Sequence, residues 1–345
     1  MAVTIKDVAA RAGVSPSTVS RVCNDNPSIS KETKEKVRQA MAELKYEPPL
    51  PSAAPDCQGP RFIGVILPPS ARSTYENPFY LETLRGISRF CNQRQYLPAV
   101  ITGQDEEEVL QVLRTMDHSG QMMGVLLLYS KTGDHIVDYL CEAGLLYCVI
   151  GKPDQLAGQT ICIDNDNLLA GREATEYLYE LGHRRIAYLG CDDAFFFSAD
   201  RKSGYQLALL QHGLPLRPED CVETVGGPAD GAAAFQRLLE RADRPTAAVV
   251  SDDLLAAALE RVCIQMGLSI PEDLSIISFN NSPFAQFTSL QLTSVDVNSF
   301  QLGFEAASQL VNHAENPNLL ATKIIVPHRI VERSSCRRLS EAPIP

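Results

Sequence analysis

No apolar run in this chain approaches the roughly 18 residues that cross a bilayer, so no membrane-spanning helix is expected. The opening residues, MAVTIKDVAARAG, lack a basic stretch followed by an apolar core, which argues against a secretory signal. The cysteines, at 23, 57, 91, 141, 148, 162, 191, 221, 263 and 336, contain no C-x-x-C pair, and none has a nearby histidine at zinc spacing. Several stand inside apolar strand-like runs. They read as reduced, mostly buried thiols of a cytoplasmic protein that holds no metal. Histidine is sparse as well. His118, His135, His183, His212, His313 and His328 stand apart, and no spacing implies a nucleophile–base pair. There is no G-x-x-x-x-G-K-[ST] and no G-x-G-x-x-G after a strand. Neither an enzyme nor a cofactor is expected.

What is present is a chain of 345 residues, 45% hydrophobic, enough for two or three domains with cores of their own. Its net charge of −11 alone argues against nucleic acid, but the charge is unevenly spread. Residues 1–46 carry a net +3 and the remainder −14. A small basic module on a large acidic body suits a tethered DNA reader; a helical domain with solvated charges fits equally well.

The order of residues in that module separates the two. In TIKDVAARAGVSPSTVSRVCN, Thr4 can cap a helix whose apolar face is Ile5, Val8, Ala9 and Ala12. Gly13 ends it. Ser15 caps a second helix and Pro16 takes its first position, where a missing N–H costs nothing. Val19, Val22 and Cys23 face inward. A third helix starts at Ser30, with Val37, Ala40, Met41 and Leu44 inward. Two short helices, a tight glycine turn and a third helix make a helix-turn-helix unit over 1–46. Pro16, Ser17, Ser20 and Arg21 point outward at the start of the second helix. Arg21 can pair bidentately with guanine, and Ser17 can take a base edge or a phosphate. Thr4, Ser15, Thr18, Asn24 and Lys31 suit the DNA backbone. Ser15 and Thr18 are also ordinary helix-start residues, and the two roles are compatible.

The run TIKDVAARAGVSPSTVSRVCNDNPSISKETKEKVRQAMAELKYEP resembles the headpiece of the lactose/galactose repressor family nearly throughout. The resemblance implies that Pro16, Ser17 and Arg21 enter the major groove. It also implies a homodimer on double-stranded, near-palindromic operator DNA. The closing CRRLSEAPIP shows no heptads, which favours a dimer over a tetramer.

From Arg61 onward, apolar strand-like runs alternate with amphipathic helical runs. RFIGVILP, YLPAVITG, GVLLLYS, LYCVIG, TICID, RRIAYLG, CVETVG, TAAVVSD, LSIISFN and LTSVDVN are the candidate strands. The pattern predicts parallel α/β sheets covered on both faces, in two doubly wound lobes with a cleft between them. This body resembles the periplasmic sugar-binding-protein fold that the same repressor family carries. The likeness implies a sensor domain over 61–336. Its N-lobe is 61–161 with 296–323, its C-lobe 162–293 with 326–333, and a tail follows at 337–345. Crossovers fall near Cys162, Val295 and Ile325. Segments such as NPFYLETLRGISRF, DNDNLLAGREATEYL and KIIVPH resemble maltose-operon repressors more closely still, which implies a maltose- or maltodextrin-like effector that releases the operator.

Ligands of open α/β sheets bind beyond the carboxyl ends of strands. That rule selects Phe79 and Tyr80 after the first strand and Tyr129, Ser130 and Lys131 after the third, of which Ser130 is the one taken as a ligand contact. It also selects Asp164 and Asn165 at the lobe crossover, the stretch CDDAFFFSADRKSGY after RRIAYLG with Phe197 and Arg201 as its contacts, Asp252 after TAAVV, and Asn280 and Asn281 in SFNNS, with Asn280 as the contact. Such residues supply planar polar groups for sugar hydroxyls and aromatic faces for C–H surfaces. Each has a plainer reading. Asp164 and Asp252 can cap the following helices, and Phe79 and Tyr80 can be helix-start packing. The phenylalanines at 195–197 can be core or dimer surface, and Arg201 can pair with a carboxylate. Phe195 stands where some family members place an arginine, and Asn280 where aspartate is frequent. Both departures reduce charge and favour a small neutral sugar over a phosphorylated one. A stand-alone sugar receptor and a corepressor-dependent global regulator are the alternatives on the same fold.

The joint, residues 47–60, departs most. In the family this segment reads Y-x-P-N-x-x-A-R-x-L and forms a short helix on DNA whose leucine wedges into the minor groove. Here Tyr46 and Pro48 match, but Pro49, Ser52, Ala53 and Pro55 replace the Asn, Ala, Arg and Leu. Interior prolines cost a helix about 3 kcal/mol each. An extended, semi-rigid spacer is expected instead.

Overall fold

The computed structural model describes residues 5–14, 19, 22, 31–44, 61–69, 76–117, 121–224, 228–287 and 290–339. The chain divides into two compact units, Met1–Gly59 and Pro60–Pro345.

In the first unit, helix α1 (Ile5–Ala12) stops at Gly13, whose φ of +66° lets the Val14 N–H fold back to the Ala9 carbonyl at 3.0 Å. Helix α2 spans Lys31–Glu43. Val8, Ala9, Val19, Val22, Val37, Ala40 and Met41 form one buried cluster, with Ala12, Val14 and Leu44 against it. These are among the inward positions that 3.6-residue spacing selects, so the described part of the expected core packs as read. Cys23 lies outside the described residues. The exposed Arg11–Glu43 pair at 2.6 Å adds little, since water screens it.

The second unit has two six-stranded sheets. Its strands are β1 (Phe62–Ile66), β2 (Leu97–Ile101), β3 (Met122–Leu127), β4 (Tyr147–Ile150), β5 (Ile161–Asp164) and β6 (Ile186–Cys191). They continue with β7 (Cys221–Thr224), β8 (Ala247–Val250), β9 (Ser275–Phe279), β10 (Thr293–Asp296), β11 (Lys323–Ile325) and β12 (Arg329–Val331). Between them lie α3 (Pro78–Arg94), α4 (Glu106–Asp117), α5 (His135–Glu142), α6 (Asn167–Glu180), α7 (Phe196–Gln211), α8 (Pro228–Leu239), α9 (Asp253–Gln265), α10 (Phe284–Phe287) and α11 (Ser299–Glu315). All ten candidate strands form, and the closing KIIVPHRIVER supplies two more. The N-lobe sheet runs β11-β5-β4-β3-β1-β2 and is wholly parallel. The C-lobe sheet runs β12-β10-β9-β8-β6-β7, parallel except for β12 against β10.

Both faces of the central strands are covered, which is why they read as continuous apolar runs. Val125 and Leu127 of β3 enter one core cluster and Leu126 the other. In β8, Ala247 and Val249 face one way and Ala248 and Val250 the other. Among the described residues no helix is long and apolar enough to cross a membrane. The eight described cysteines are all free; Cys91, Cys148, Cys162 and Cys263 are buried and Cys141 is exposed.

Strand pairing places the lobe crossings slightly later than expected. Cys162 and Asp164 still pair with β11, and Val295 still pairs with β9 and β12. The chain therefore passes between lobes at 165–166, at 297–298 and at 326–328. The segment read as a tail from 337 begins as docked chain. Arg337 donates to the carbonyls of Pro271 at 3.1 Å and Glu272 at 2.7 Å, and the Leu339 N–H to Leu181 at 2.8 Å.

Candidate ligand cleft between the lobes

All nine candidate effector residues converge on one cleft. Phe79, Tyr80, Ser130, Asp164, Asn165, Phe197, Arg201, Asp252 and Asn280 line it together with Asn77, Leu128, Tyr129, Ile150, Gly151, Asn167 and Leu302. Each of the nine is delivered by the end of a strand or the first turn or two of the helix that follows, as the carboxyl-end rule requires.

Helix α3 starts at Asn77, whose side chain accepts from the Phe79 N–H at 3.0 Å, with Pro78 in the first turn. This cap aims Phe79 and Tyr80 at the cleft, their rings edge to face at 5.3 Å. They are helix-start packing and cleft wall together: Phe79 also packs against core clusters of both lobes. Burial pushes the Tyr80 phenol well above its usual range, so it stays a neutral donor.

Asp164 does not cap α6; Asp166 does, accepting from the Leu169 N–H at 2.9 Å. Asp164 is thereby left facing the cleft. Its Oδ1 accepts from the Asn165 N–H at 2.8 Å and from Asn167 Nδ2 at 3.0 Å. Burial, with some help from Asp200, pushes its carboxyl up to about 6, against the opposing pull of the Asn165 N–H, Lys152 and Arg201. Asp252 fills both of its expected roles. It caps α9 by accepting from the Leu255 N–H at 2.7 Å, and it lines the cleft. The neighbouring Asp253 holds that corner: it accepts from Ser278 at 2.5 Å, Ser294 at 2.7 Å and the Ser282 N–H at 2.6 Å. The chain can then turn through Asn280 and Asn281 with φ of +92° and +48°, a conformation asparagine tolerates.

Arg201 is buried, and its partners are neutral. Nε donates to Asn167 Oδ1 at 2.9 Å and Nη1 to the Ser251 carbonyl at 2.6 Å. Its guanidinium lies 4.3 Å from the Phe279 ring centroid and 5.1 Å from that of Phe197. Burial pulls its pKa down, while Tyr188, Asp252 and Asp164 oppose that shift. Two glycines put it there. A Cβ on Gly171 would fall 2.2 Å from the Arg201 carbonyl, and one on Gly204 would fall 2.1 Å from that of Leu168. Only without those side chains can α6 and α7 approach so closely.

A short strap closes the cleft between the lobes. The Phe196 N–H donates to the Ser130 carbonyl at 3.2 Å and the Thr132 N–H to that of Ala194 at 3.0 Å, while Lys131 and Phe195 form a bridge. Lys152 pairs with Asp200 across the same gap. Phe195 does not line the cleft; its ring packs against Tyr129 at 6.2 Å and Phe197 at 6.0 Å. Leu302 and Ile150 could not be found from sequence, because they are ordinary core residues that happen to border the space. Asn167 had a signal: it stands in the strand-end stretch CIDNDN already picked out for Asp164 and Asn165.

Of the DNA-reading candidates, Thr4, Ser15, Pro16, Ser17, Thr18, Ser20, Arg21 and Asn24 lie outside the described residues. Lys31 is described only as the first residue of α2. The Pro-rich joint lies outside them as well.

The fold and cleft define a two-lobed small-molecule sensor carrying a helix-turn-helix headpiece. The chain belongs to the lacI family of bacterial regulatory proteins. Residues 4–49 match the model of that family, and 175–336 match a periplasmic binding protein-like domain. The chain is 33% identical over 343 residues to the HTH-type transcriptional regulator MalR of Streptococcus pneumoniae, covering 96% of this chain and all of the relative. It is also 33% identical to MalR of Staphylococcus xylosus, covering 98% and 99%. A solved transcriptional regulator CelR–cellobiose complex superposes with a TM-score of 0.75 at 29% identity, over 97% of this chain and 100% of that one.

Proposed function

We propose that this chain is a sequence-specific repressor of sugar-utilisation genes, whose grip on operator DNA is relieved by a small neutral sugar of the maltose or maltodextrin type. The observation that carries this reading is the convergence of planar polar groups and aromatic faces in one interlobe cleft. Asp164, Asp252, Asn280 and Arg201 offer acceptors and donors for hydroxyls. Phe79, Tyr80 and Phe197 offer ring faces for C–H surfaces. Phe195 and Asn280 leave the cleft without the extra arginine and carboxylate that would suit a more highly charged ligand.

The resemblance to MalR regulators and to a cellobiose-bound relative supports a glucoside over other sugars. The division into headpiece 1–46, joint 47–60, sensor 61–336 and a short tail belongs to the same reading, as does a homodimer on a near-palindromic site. A ligand acts by favouring one lobe arrangement over another, and the resulting change in operator affinity amounts to about 1–3 kcal/mol. The headpiece reads bases through Pro16, Ser17, Ser20 and Arg21, and phosphates through Thr4, Ser15, Thr18, Asn24 and Lys31.

The test has two stages. Binding sites are selected from random duplexes with the full chain, and the selected duplex is then titrated with and without maltose, maltotriose, cellobiose and glucose 6-phosphate. A near-palindromic duplex released by a neutral glucoside is the expected outcome. Selection of no sequence, or release by the sugar phosphate alone, overturns the reading.

A further inference from the structure

Arg201 and Asp164 share a buried cleft yet do not hydrogen-bond to each other directly. Between them stands Asn167, at 4% exposure as buried as either neighbour. Its Oδ1 accepts from Arg201 Nε at 2.9 Å and its Nδ2 donates to Asp164 Oδ1 at 3.0 Å. The orientation of the amide is forced, because a guanidinium only donates and a carboxylate only accepts. A side chain of this length must accept at one end and donate at the other to bridge them. Aspartate cannot donate, and serine is too short to reach both.

We propose that Asn167 is a positioning residue of the ligand cleft: it holds the Arg201 guanidinium and the Asp164 carboxyl apart, so that each keeps hydrogen-bonding capacity for adjacent hydroxyls of one sugar ring. Both bonds that the Asp164 carboxyl accepts fall on Oδ1, which leaves Oδ2 for a ligand hydroxyl. Arg201 uses Nε and Nη1 on neutral acceptors, which leaves Nη2. Without the amide, the opposite charges would collapse into a pair that satisfies both at the ligand's expense. The choice of ligand rests on the sugar reading above; the positioning itself does not.

The charged groups that act on Asp164 are Lys152 after β4, and Asp200 and Arg201 of α7. Tyr80 of α3 and Asp252 of α9 border the same space. On β11, the neighbouring strand, Lys323 sits beside Cys162. Against that background the Asp164 carboxyl titrates near 6, and its midpoint reports where the guanidinium lies.

The experiment follows that midpoint by carbon-13 NMR of aspartate carboxyls in the ligand-free full chain, assigned with Asp164→Asn. In Asn167→Ala the guanidinium relaxes onto the carboxylate, and the midpoint falls by about a unit or more, as it does for an Asp beside an Arg. In Asn167→Asp a second carboxylate faces the first, and the midpoint rises. A simple packing role would not move the two variants in opposite directions. Calorimetry with maltose, maltotriose and cellobiose at pH 7.5 gives the second readout. Asn167→Ala binds at least tenfold more weakly, roughly the loss expected when a hydrogen bond to a charged group goes. A midpoint that stays put or rises in Asn167→Ala overturns the proposal, and so does undiminished sugar affinity in that variant. If the wild-type chain binds none of the three sugars while the midpoints move as described, the sugar reading falls and the positioning role stands.

Discussion

Asn165 and Val297 belong to different crossings between the lobes, yet the Asn165 side-chain amide donates to the Val297 carbonyl at 3.1 Å. The same nitrogen donates to the Val326 carbonyl, in the third crossing, at 2.8 Å. One buried amide therefore ties all three connections together while its residue lines the cleft. Asn165→Ala leaves two buried carbonyls without this donor, each costing about 1–3 kcal/mol. Urea denaturation is expected to show a loss of about 2 kcal/mol or more. The ratio of operator affinities with and without effector should shrink as well, since the lobes lose the fixed pivot that makes their rotation concerted.

Burial in the cleft makes the Asp164 charge costly to the folded chain. Its folded carboxyl is pushed up to about 6 from an ordinary 3.8. The folded state thus holds the proton more tightly than the unfolded state. The stability this confers is full below about pH 4 and is lost as pH rises through about 6. Asp164→Asn keeps an acceptor for Asn165 and Asn167 without the buried charge. It is expected to be more stable than the wild type at pH 8, by up to about 3 kcal/mol at the linkage limit. At pH 4 the two should be nearly equal. Sugar affinity should fall at pH 8. Denaturation at both pH values, with calorimetry at the higher, checks this; equal stability at pH 8 would refute it.

Gly171 sets the place of Arg201. An added Cβ would meet the Arg201 carbonyl at 2.2 Å, and backbone cannot yield as a flexible side chain does. Gly171→Ala forces α6 and α7 apart and moves the guanidinium out of line with Asn167. Helix propensity alone would favour alanine by about 1 kcal/mol. The expected result is the reverse: loss of about 1–3 kcal/mol from overpacking, with effector binding weakened more than tenfold. Thermal melts and calorimetry on the variant test this.

His183 fastens the chain's closing segment. One ring nitrogen meets Thr246 Oγ1 at 2.9 Å and the other the Arg337 carbonyl at 3.2 Å. Burial lowers its pKa to about 4. A depressed histidine contributes stability present above its ordinary value of 6.5 and lost as pH falls through about 4. Acid unfolding monitored between pH 7 and pH 4 should be shallower in His183→Gln than in the wild type. Identical slopes would remove His183 from the acid transition.

The Pro-rich joint gives a prediction from sequence alone. Pro49→Asn, Ala53→Arg and Pro55→Leu together restore the residues that make a DNA-ordered helix in the family. Operator affinity should rise, and the duplex should bend more in gel-phasing assays. No change in either would mean that the joint's stiffness does not limit DNA binding.

Much of the site was legible. The carboxyl-end rule picks out the nine cleft residues because parallel strands all present that end to one side, and strand ends can be read from apolar runs. The roles were harder to read. Asp164 and Asp252 look alike in sequence, each a carboxylate at a strand end before a helix. Asp252 caps its helix and Asp164 does not, because Asp166 stands one residue before α6 and takes that place. Arg201 was open between a carboxylate and a ligand, and its actual partners are the Asn167 amide and a backbone carbonyl. Crossing points shifted by a few residues, because a strand ends where its neighbours stop pairing, and those neighbours are far away in the chain.

The sequence by itself determined the helix-turn-helix core, the alternation that makes two parallel sheets, and the acidic and aromatic residues at their ends. These follow from local periodicity and capping, which need only nearby residues. Tertiary structure alone decided that Asn165 joins three crossings and that Asn167 separates Arg201 from Asp164. It also decided that two glycines set the spacing of α6 and α7. Each of these depends on contacts between segments tens to more than a hundred residues apart, and only the folded chain fixes them.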